Sequence, residues 1–256
     1  MTTLARTLVP ALLTLTAVPL WAEPPANCQA HSSATVTPVV ELYTSEGCSS
    51  CPPADRWLSK LKADSSTVAL AFHVDYWDRL GWKDRFASPS YTQRQAMQQA
   101  SNGARFGYTP QVVVDGADRK DWSDLSSPPA APKRQTATVA LTLTRDGERF
   151  NATVLPLAST AKAAAAPIRL AAYWAVTEQG HVTAVKAGEN QGVTLTHDFV
   201  VREYLPVAAW TADAAAPTSL QFSPSVAADA AHPRQVNMVV VDAANGRPLQ
   251  ALKLGC

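Results

Sequence analysis

Residues 41–55 read ELYTSEGCSSCPPAD, and they connect a β-like run to a helix-like run through two cysteines. The β-like run covers residues 35–43, and the helix-like run covers residues 54–63. The two cysteines, Cys48 and Cys51, therefore lie at the start of the predicted helix. Backbone N–H groups and a partial positive charge at a helix start stabilise a thiolate, which is the nucleophile of disulfide exchange. The pattern predicts that Cys48 attacks a partner and that Cys51 resolves the mixed disulfide.

A cysteine pair with this spacing is also typical of half a zinc site, so a metal site is an alternative. The other two cysteines, Cys28 and Cys256, lie far apart in the chain, and a four-thiolate site would need both of them. A copper(I) site built from Cys48, Cys51 and His73 is a second form of this alternative, because thiolate and imidazole suit that ion. Apart from it, the sequence indicates no cofactor.

The first 22 residues predict a secretory signal peptide that is cleaved near Ala22. They carry one cation, Arg6, no acidic residue and an apolar stretch over residues 8–21. Two prolines interrupt that stretch, and it falls short of the roughly 20 apolar residues that a membrane span needs. We therefore expect a periplasmic or secreted protein without stable membrane insertion.

Charge and cysteine content fit an exported protein. The chain has 22 basic and 21 acidic residues, and removal of Arg6 with the signal peptide balances them. A net charge near zero does not indicate nucleic acid or an anionic membrane as partner. Disulfides persist outside the cytosol, and four cysteines allow three pairings. We expect Cys48–Cys51 and a structural Cys28–Cys256 bond, and the alternative that Cys28 and Cys256 are unpaired or resolving cysteines stays open.

A composition break over residues 126–134 divides the sequence into two predicted units. The break contains SSPPAAP, which is typical of a linker. Before it, residues 23–34 form an extension and residues 35–125 alternate between strand-like and helix-like runs. After it, residues 135–256 show the period-two alternation and the turn signals of a β-sandwich. We predict strands at 35–43, 68–74, 111–114, 136–144, 149–155, 168–177, 181–186, 198–205, 235–241 and 249–254, and helices at 53–62 and 90–100.

The first unit resembles the thioredoxin fold in the order of its motifs. A strand, the C-x-x-C pair and a helix follow one another, and Thr109-Pro110 stands directly before the strand at 111–114. Thioredoxin-like proteins have a cis-proline at this place, opposite the cysteines. The resemblance implies that Pro110 is cis and that it shapes a substrate groove together with Thr109. Considered alone, Pro110 is an ordinary trans proline that opens an edge strand.

Five longer strings carry a second resemblance. They are ELYTSEGCSSCPPAD at 41–55, FHVDYWD at 72–78, GWKD at 81–84, YTPQ at 108–111 and GENQG at 188–192. These strings resemble those of the secreted, thioredoxin-like family catalogued as domain of unknown function 1223 (DUF1223). The resemblance implies an α/β thioredoxin-like domain followed by a β-rich, sandwich-like domain, and a bacterial, periplasmic location. It implies no reaction.

Side chains after the second strand are candidates for supporting the cysteines. Strand alternation predicts His73, Asp75 and Trp77 on one face, and His73 or Asp75 can then accept the proton of Cys51. The alternatives are a satisfied sheet histidine and an aspartate that caps the next turn. Trp77 lines a groove for an unfolded peptide or belongs to the core. Glu46 disfavours a thiolate at Cys48, because a nearby carboxylate opposes a second negative charge.

In the second half, Glu189, Asn190 and His197 are the residues that resemble the family pattern. Two glycines bracket the loop that carries the first two. This loop packs against the first unit near the cysteines, or it only fixes a hairpin.

Three functions are compatible with these patterns. The first is an exported thiol–disulfide oxidoreductase that uses Cys48 and Cys51 on an unidentified protein thiol or disulfide. The second is a binding protein on a thioredoxin scaffold, in which Cys48–Cys51 is a structural disulfide. The third is the copper(I)-binding module.

Overall fold

A long, mixed β-sheet is the main feature of the computed structural model, which describes residues 28–125, 135–157, 169–213 and 216–256. The described residues form fourteen strands and two α-helices. In chain order these are β1 (Gln29–His31), β2 (Val39–Thr44), α1 (Pro52–Ser59), β3 (Val68–His73), α2 (Pro89–Ser101), β4 (Gln111–Val114), β5 (Ala117–Asp118), β6 (Val139–Asp146), β7 (Arg149–Pro156), β8 (Arg169–Glu178), β9 (His181–Ala184), β10 (Thr194–His197), β11 (Val200–Thr211), β12 (Thr218–Phe222), β13 (Arg234–Asp242) and β14 (Pro248–Leu254).

The long sheet has eight strands in the order β14-β13-β8-β11-β3-β2-β4-β5. Strand β3 pairs in parallel with β2 on one side and with β11 on the other. The contact with β11 is made at Ala71 and Val200, where the Ala71 N–H donates to the Phe199 carbonyl at 2.8 Å. Strands from both sides of the predicted linker therefore belong to one sheet.

The predicted fold class, an α/β thioredoxin-like domain followed by a β-sandwich-like domain, is wrong. The described chain is mostly β, with only two α-helices, and the strands of the second half continue the sheet of the first half. Alternation along a strand indicates which face is buried, but it does not indicate the partner strand. An unpaired edge of β3 would expose backbone N–H and C=O groups, and β11 pairs with this edge at Ala71.

The predicted signal peptide and linker lie outside the described residues, as does the first part of the predicted extension at 23–34. The domain boundaries that depend on them stay predictions. Neither α1 nor α2, the helices of the described ranges, is long and apolar enough to cross a membrane.

The eight-stranded sheet is covered on both faces. Helix α1 packs on the face that carries Val40 and Leu42 through Trp57 and Leu58, and Leu61 in the turn after α1 joins the same core. Farther along this face, a four-stranded sheet in the order β1-β6-β7-β12 packs over β8, β13 and β14. Helix α2 packs on the opposite face. The aromatic core there consists of Tyr43, Phe72, Tyr91 and Tyr173.

Helix α1 begins at Pro52, and Cys51 is its N-cap. Proline is tolerated at the first helical positions, because the backbone N–H groups there have no partner within the helix. Pro52 and Pro53 therefore set the helix start one residue after the second cysteine.

A buried charged group joins α2 to the sheet. The Glu41 carboxylate accepts four hydrogen bonds, from Tyr43 Oη (2.6 Å), Tyr173 Oη (2.6 Å), Gln98 Nε2 (3.1 Å) and an Arg94 guanidinium nitrogen (2.6 Å). Burial raises the pKa of Glu41, but Arg94 and these hydrogen bonds outweigh burial and hold the pKa below its usual value. These five residues are named the Glu41 cluster.

A disulfide between Cys28 and Cys256 joins the first described residue to the last residue of the chain. The Cys28 carbonyl accepts a hydrogen bond from the Arg145 backbone N–H at 3.0 Å, which holds this end against β6. The bond thus fastens the four-stranded sheet to the end of the chain that follows β14.

Candidate functional site

The Cys48–Cys51 disulfide lies in the loop between β2 and α1. Both cysteines are completely buried, with exposures of 0%, whereas Ser49 and Ser50 between them are exposed. The bond is therefore covered by its own loop and lies directly under the protein surface.

Hydroxyl groups surround the sulfur of Cys48. Thr109 Oγ1 donates to Cys48 Sγ at 3.2 Å, and Ser50 Oγ lies 3.4 Å from the same sulfur. Trp77 Nε1 donates to Thr109 Oγ1 at 2.8 Å, which leaves the threonine proton for the sulfur. The Thr109–Pro110 peptide bond is cis. Because a hydrogen bond to a charged form favours it, Thr109 is placed to stabilise a thiolate at Cys48.

The loop that carries Glu189 and Asn190 holds the cysteine loop from the other half of the chain. Glu189 Oε2 accepts hydrogen bonds from the Ser49 N–H at 3.0 Å and from Ser49 Oγ at 2.8 Å. Asn190 Nδ2 donates to the carbonyls of Glu46 at 2.9 Å and Cys48 at 3.0 Å. The two bonds from Ser49 hold the pKa of the Glu189 carboxyl below its usual value.

Gly188 allows this loop to approach. Its φ is +74°, a conformation that glycine adopts without the steric cost of a side chain. A Cβ atom at this position would lie 3.3 Å from Trp82 Cβ, which is tighter than a usual contact.

Beneath the disulfide, five ionisable side chains are buried together, each at most 7% exposed. We name them the cysteine-side cluster: Glu46, Asp55, His73, Asp84 and His197. Their pairwise contacts run through the group. His73 Nδ1 lies 2.7 Å from Asp84 Oδ2, His197 Nε2 lies 3.5 Å from Glu46 Oε1, and the two imidazole rings are 5.0 Å apart. Asp55 joins through Thr44, whose Oγ1 donates to Asp55 Oδ2 at 3.2 Å.

The pKa values in the cysteine-side cluster move in different directions. Burial raises the pKa of Asp84, but the adjacent His73 and backbone N–H donors outweigh burial and lower it. Burial lowers the pKa of His73, but Asp84 outweighs burial and raises it. Burial also raises the pKa of Asp55, and the more distant histidines offset only part of that effect. The pKa of Asp55 therefore lies above that of Asp84.

Several atoms of the cysteine-side cluster have no hydrogen-bond partner within the described ranges. They are Glu46 Oε1, His73 Nε2, and both ring nitrogens of His197. The 3.5 Å contact between His197 and Glu46 is an ion-pair distance and is too long for a good hydrogen bond. Buried polar atoms normally have partners, so these atoms are open to a further hydrogen-bond partner.

The structure brings most of the predicted site residues to the disulfide. His73 and Glu46 lie in the cysteine-side cluster, and Thr109 and Trp77 lie beside Cys48. The three residues of the second half also lie here, because Glu189 and Asn190 bind the cysteine loop and His197 contacts Glu46.

Asp75 is the exception. Its carboxylate accepts a hydrogen bond from Thr92 Oγ1 at 2.5 Å, on the α2 side of the sheet. His73 lies on the α1 side with Asp84. Strand β3 ends at His73, so the alternation that predicts a shared face does not continue to Asp75. Asp75 therefore holds the turn before α2 and does not lie beside His73.

The copper(I) alternative has no support in the geometry. Cys48 and Cys51 are bonded to each other, and His73 uses Nδ1 to contact Asp84. Across the described ranges, no group of three or more His, Cys, Asp or Glu side chains is placed to hold a metal ion.

Two members of the cysteine-side cluster, Asp55 and Asp84, were not predicted as functional residues. The signal for Asp55 is its position four residues after Cys51, which places both on one face of α1. Asp84 follows an irregular loop, and no periodic pattern connects it to His73.

Comparison with solved structures supports the fold. A crystal structure of protein AGR_C_4864 from Agrobacterium tumefaciens is 27% identical, with a TM-score of 0.63, over 87% of this chain and 96% of that one. HBP35 of Porphyromonas gingivalis is 15% identical, with a TM-score of 0.62, over 88% of this chain and 76% of that one, which is a likeness of fold alone.

No curated protein matches the chain. A protein-family profile described as "Protein of unknown function (DUF1223)" matches residues 39–241, which include the cysteine loop and the Glu189 loop. The match covers most of the chain, and the protein therefore belongs to the DUF1223 family.

Proposed function

We propose that Cys48–Cys51 is an exchange-active disulfide and that the protein is an exported thiol–disulfide oxidoreductase acting on protein thiols or disulfides. The unequal surroundings of the two sulfurs carry this proposal. Cys48 Sγ contacts two hydroxyl groups, and one of them is held in place by Trp77. No hydrogen bond to Cys51 Sγ is found among the described residues. One sulfur is prepared to carry charge and the other is not.

In the proposed reaction, a thiolate of the partner protein attacks Cys48 Sγ. The S–S bond breaks, and its electron pair goes to Cys51 Sγ. The product is a mixed disulfide between the partner and Cys48. In the opposite direction, the reduced Cys48 thiolate, stabilised by Thr109, attacks a disulfide of the partner, and one partner sulfur leaves as a thiolate. Cys51 then attacks Cys48 Sγ of the mixed disulfide and releases the other partner sulfur as a thiolate.

Access to Cys48 requires a movement of its own loop. On the Thr109 side, one long hydrogen bond, from Ser50 Oγ to the Thr109 carbonyl at 3.3 Å, holds the loop over Cys48. Ser49 is held more firmly, by two shorter hydrogen bonds to Glu189. We propose that the loop opens at Ser50 and that Glu189 keeps it attached at Ser49.

The two disulfides are consistent with an oxidised, extracytoplasmic protein. We propose a periplasmic or secreted location, reached through the signal peptide predicted at residues 1–22. The near-balanced charge gives no support for nucleic acid as a partner.

The experiment is a trap for the mixed disulfide. Cys51→Ala removes the resolving thiol, so exported protein should accumulate covalent complexes through Cys48 that a reductant dissolves. The double variant Cys48→Ala/Cys51→Ala is the matched control and should accumulate none. If the single variant traps nothing in the oxidising export compartment, the exchange function is wrong.

One observation favours a second function, that of a binding protein with a structural Cys48–Cys51 disulfide. Both sulfurs are fully buried, and Asn190 binds two carbonyls of the loop between β2 and α1. On this alternative, replacing both cysteines lowers stability without changing which proteins the chain captures.

A further inference from the structure

We propose that Asp55 is the proton donor and acceptor of Cys51 in this exchange reaction, an inference that rests on the proposed function. Of the two groups that the sequence indicates, Asp75 lies on the α2 side of the sheet, and His73 directs Nδ1 to Asp84. Asp55 lies four residues after Cys51, in the first turn of α1.

The geometry of the first turn places the two side chains together. Cys51 has helical backbone angles, φ −78° and ψ −37°, and the Asp55 N–H donates to the Cys51 carbonyl at 3.2 Å. Residues four apart on a helix lie on one face, about 5–6 Å apart at Cβ. Helical side chains also lean toward the N-terminus, so the Asp55 carboxyl leans toward Cys51.

The surroundings require a proton carrier at this place. Cys51 is completely buried, so bulk water does not solvate the thiolate that forms when the disulfide opens. A buried thiolate is costly and takes a proton from the nearest group that can give one. Asp55 has a spare carboxyl oxygen, because its hydrogen bond from Thr44 uses only Oδ2.

Of the other carboxylates in the cysteine-side cluster, Asp84 has both oxygens engaged and Glu46 has one oxygen engaged. Asp84 Oδ2 faces His73 and also accepts from the Glu46 N–H at 2.8 Å, while Oδ1 accepts from the Phe86 N–H at 2.9 Å. Glu46 Oε2 accepts from Trp82 Nε1 at 2.8 Å.

The charges that face Asp55 tune its proton affinity. Burial raises the pKa of Asp55. His197 on β10 and His73 on β3 act against burial, and Asp84 acts with it. Arg56, on the same helix as Asp55, lines a surface cleft together with Asp55. Because burial prevails over the histidines, the Asp55 carboxyl keeps its proton to a higher pH than an exposed aspartate does.

The step balances as follows. The partner thiolate bonds to Cys48 Sγ, the S–S electron pair moves to Cys51 Sγ, and the Asp55 proton moves to that sulfur. Cys51 is then a thiol and Asp55 a carboxylate. In the reverse direction, the Asp55 carboxylate takes the proton of the Cys51 thiol, and the resulting thiolate attacks the mixed disulfide at Cys48.

A cleft supplies the route by which Asp55 exchanges protons with solvent. The cleft, about 140 Å³ in volume, lies between α1 and the β10 segment, and its lining includes Pro52, Asp55, Arg56, Leu195 and His197. Neither Thr109 nor Trp77 lines it. The proton therefore enters on a different side of the disulfide from the one where hydroxyls contact Cys48.

The test follows how fast Cys51 closes a defined mixed disulfide. In the full-length protein, Cys48–Cys51 is reduced while Cys28–Cys256 stays oxidised, and the protein is treated with 5,5′-dithiobis(2-nitrobenzoate). The reagent attaches one thionitrobenzoate to Cys48 and releases a first one into solution. Release of the second thionitrobenzoate reports attack by Cys51. We expect Asp55→Asn to slow this release about 100-fold near neutral pH, within the usual range for general base catalysis, and to remove the Asp55 limb from the pH–rate profile.

Asp115→Asn is the matched control. Burial also raises the pKa of Asp115, which follows β4 and accepts a hydrogen bond from the Val39 N–H. Val39 begins β2, so Asp115 lies at the far end of that strand from the cysteines. Asp115→Asn should leave the rate and the profile unchanged. A second variant, Thr44→Val, removes the hydrogen bond to the carboxylate and should shift the Asp55 limb to higher pH. If Asp55→Asn does not fold, the pH–rate profile of Thr44→Val provides the test.

The outcomes separate the two claims. If Asp55→Asn releases thionitrobenzoate within twofold of the native protein, or Thr44→Val leaves the profile unshifted, the role of Asp55 is wrong and the exchange function stands. If the native protein itself never releases the second thionitrobenzoate, the exchange function is wrong.

Discussion

The two buried charged groups beside β2 differ in how completely their polar atoms are satisfied. In the Glu41 cluster, one carboxylate accepts four hydrogen bonds and a guanidinium neutralises it. Among the described residues, Arg94 Nε is the one buried side-chain atom of this cluster without a hydrogen-bond partner, whereas the cysteine-side cluster leaves four such atoms. The two clusters lie on opposite faces of the sheet, because successive side chains of β2 alternate between α2 and α1. The more completely bonded cluster fastens a helix, and the less completely bonded cluster lies on the face of the cysteine-bearing helix.

The largest loss of stability should come from removing the cation of the Glu41 cluster. Arg94→Met removes the cation that neutralises Glu41 and leaves a buried carboxylate, so we expect the free energy of unfolding to fall by about 3–5 kcal/mol. Urea denaturation measures it. Arg119→Met is the control, because Arg119 pairs with Asp121 at the surface and such pairs contribute about 1 kcal/mol or less. Equal losses in the two variants would contradict this role of the Glu41 cluster.

A smaller loss, of about 2–3 kcal/mol, should follow from Asp84→Asn, which leaves a neutral hydrogen-bonding group against His73. The loss should depend on pH. The lowered pKa of Asp84 adds stability that disappears as the pH falls below about 4, and the raised pKa of His73 adds stability that disappears as the pH rises above about 6.5.

Denaturation of the native protein and of Asp84→Asn across this range measures the dependence. The difference between them should be largest between those two pH values and should shrink on both sides. A difference that does not change with pH would show that His73 and Asp84 do not form a charged pair.

The smallest effect concerns Glu189, which holds the cysteine loop from the exposed side. Glu189→Gln keeps an oxygen acceptor for Ser49 and removes the negative charge. We expect the pKa of the reduced Cys48 thiol to fall, because a nearby carboxylate disfavours a thiolate. Alkylation rates of Cys48 as a function of pH measure the change. Glu148→Gln, a change of the same type at the β6–β7 hairpin, should have no effect, and a rise in the pKa for Glu189→Gln would contradict the prediction.

Local sequence patterns predict the elements and fail for their assembly. The predicted strand at 68–74 and helix at 90–100 correspond to β3 (Val68–His73) and α2 (Pro89–Ser101). The pairing of β3 with β11 is not in the pattern, because it joins segments more than 100 residues apart and depends on which edge is left open. This pairing is what overturns the predicted fold class.

The candidate site divides in the same way. The spacing of Cys48 and Cys51 is local, and the sequence indicates their disulfide and the position of α1 after them. The face that Asp75 uses depends on where β3 ends, which alternation alone does not show. The contact of His197 with Glu46 depends on β10, a strand that the sequence analysis did not predict.

The most direct measurement is an equilibrium redox titration of the folded protein, with alkylation and mass analysis that assign each thiol. We expect the Cys48–Cys51 pair to titrate between roughly −120 and −270 mV, the range of exchange-active dithiols, while Cys28–Cys256 stays oxidised. A Cys48–Cys51 potential below about −300 mV, or a bond that is reduced only on unfolding, would show that this disulfide is structural and that the exchange function is wrong.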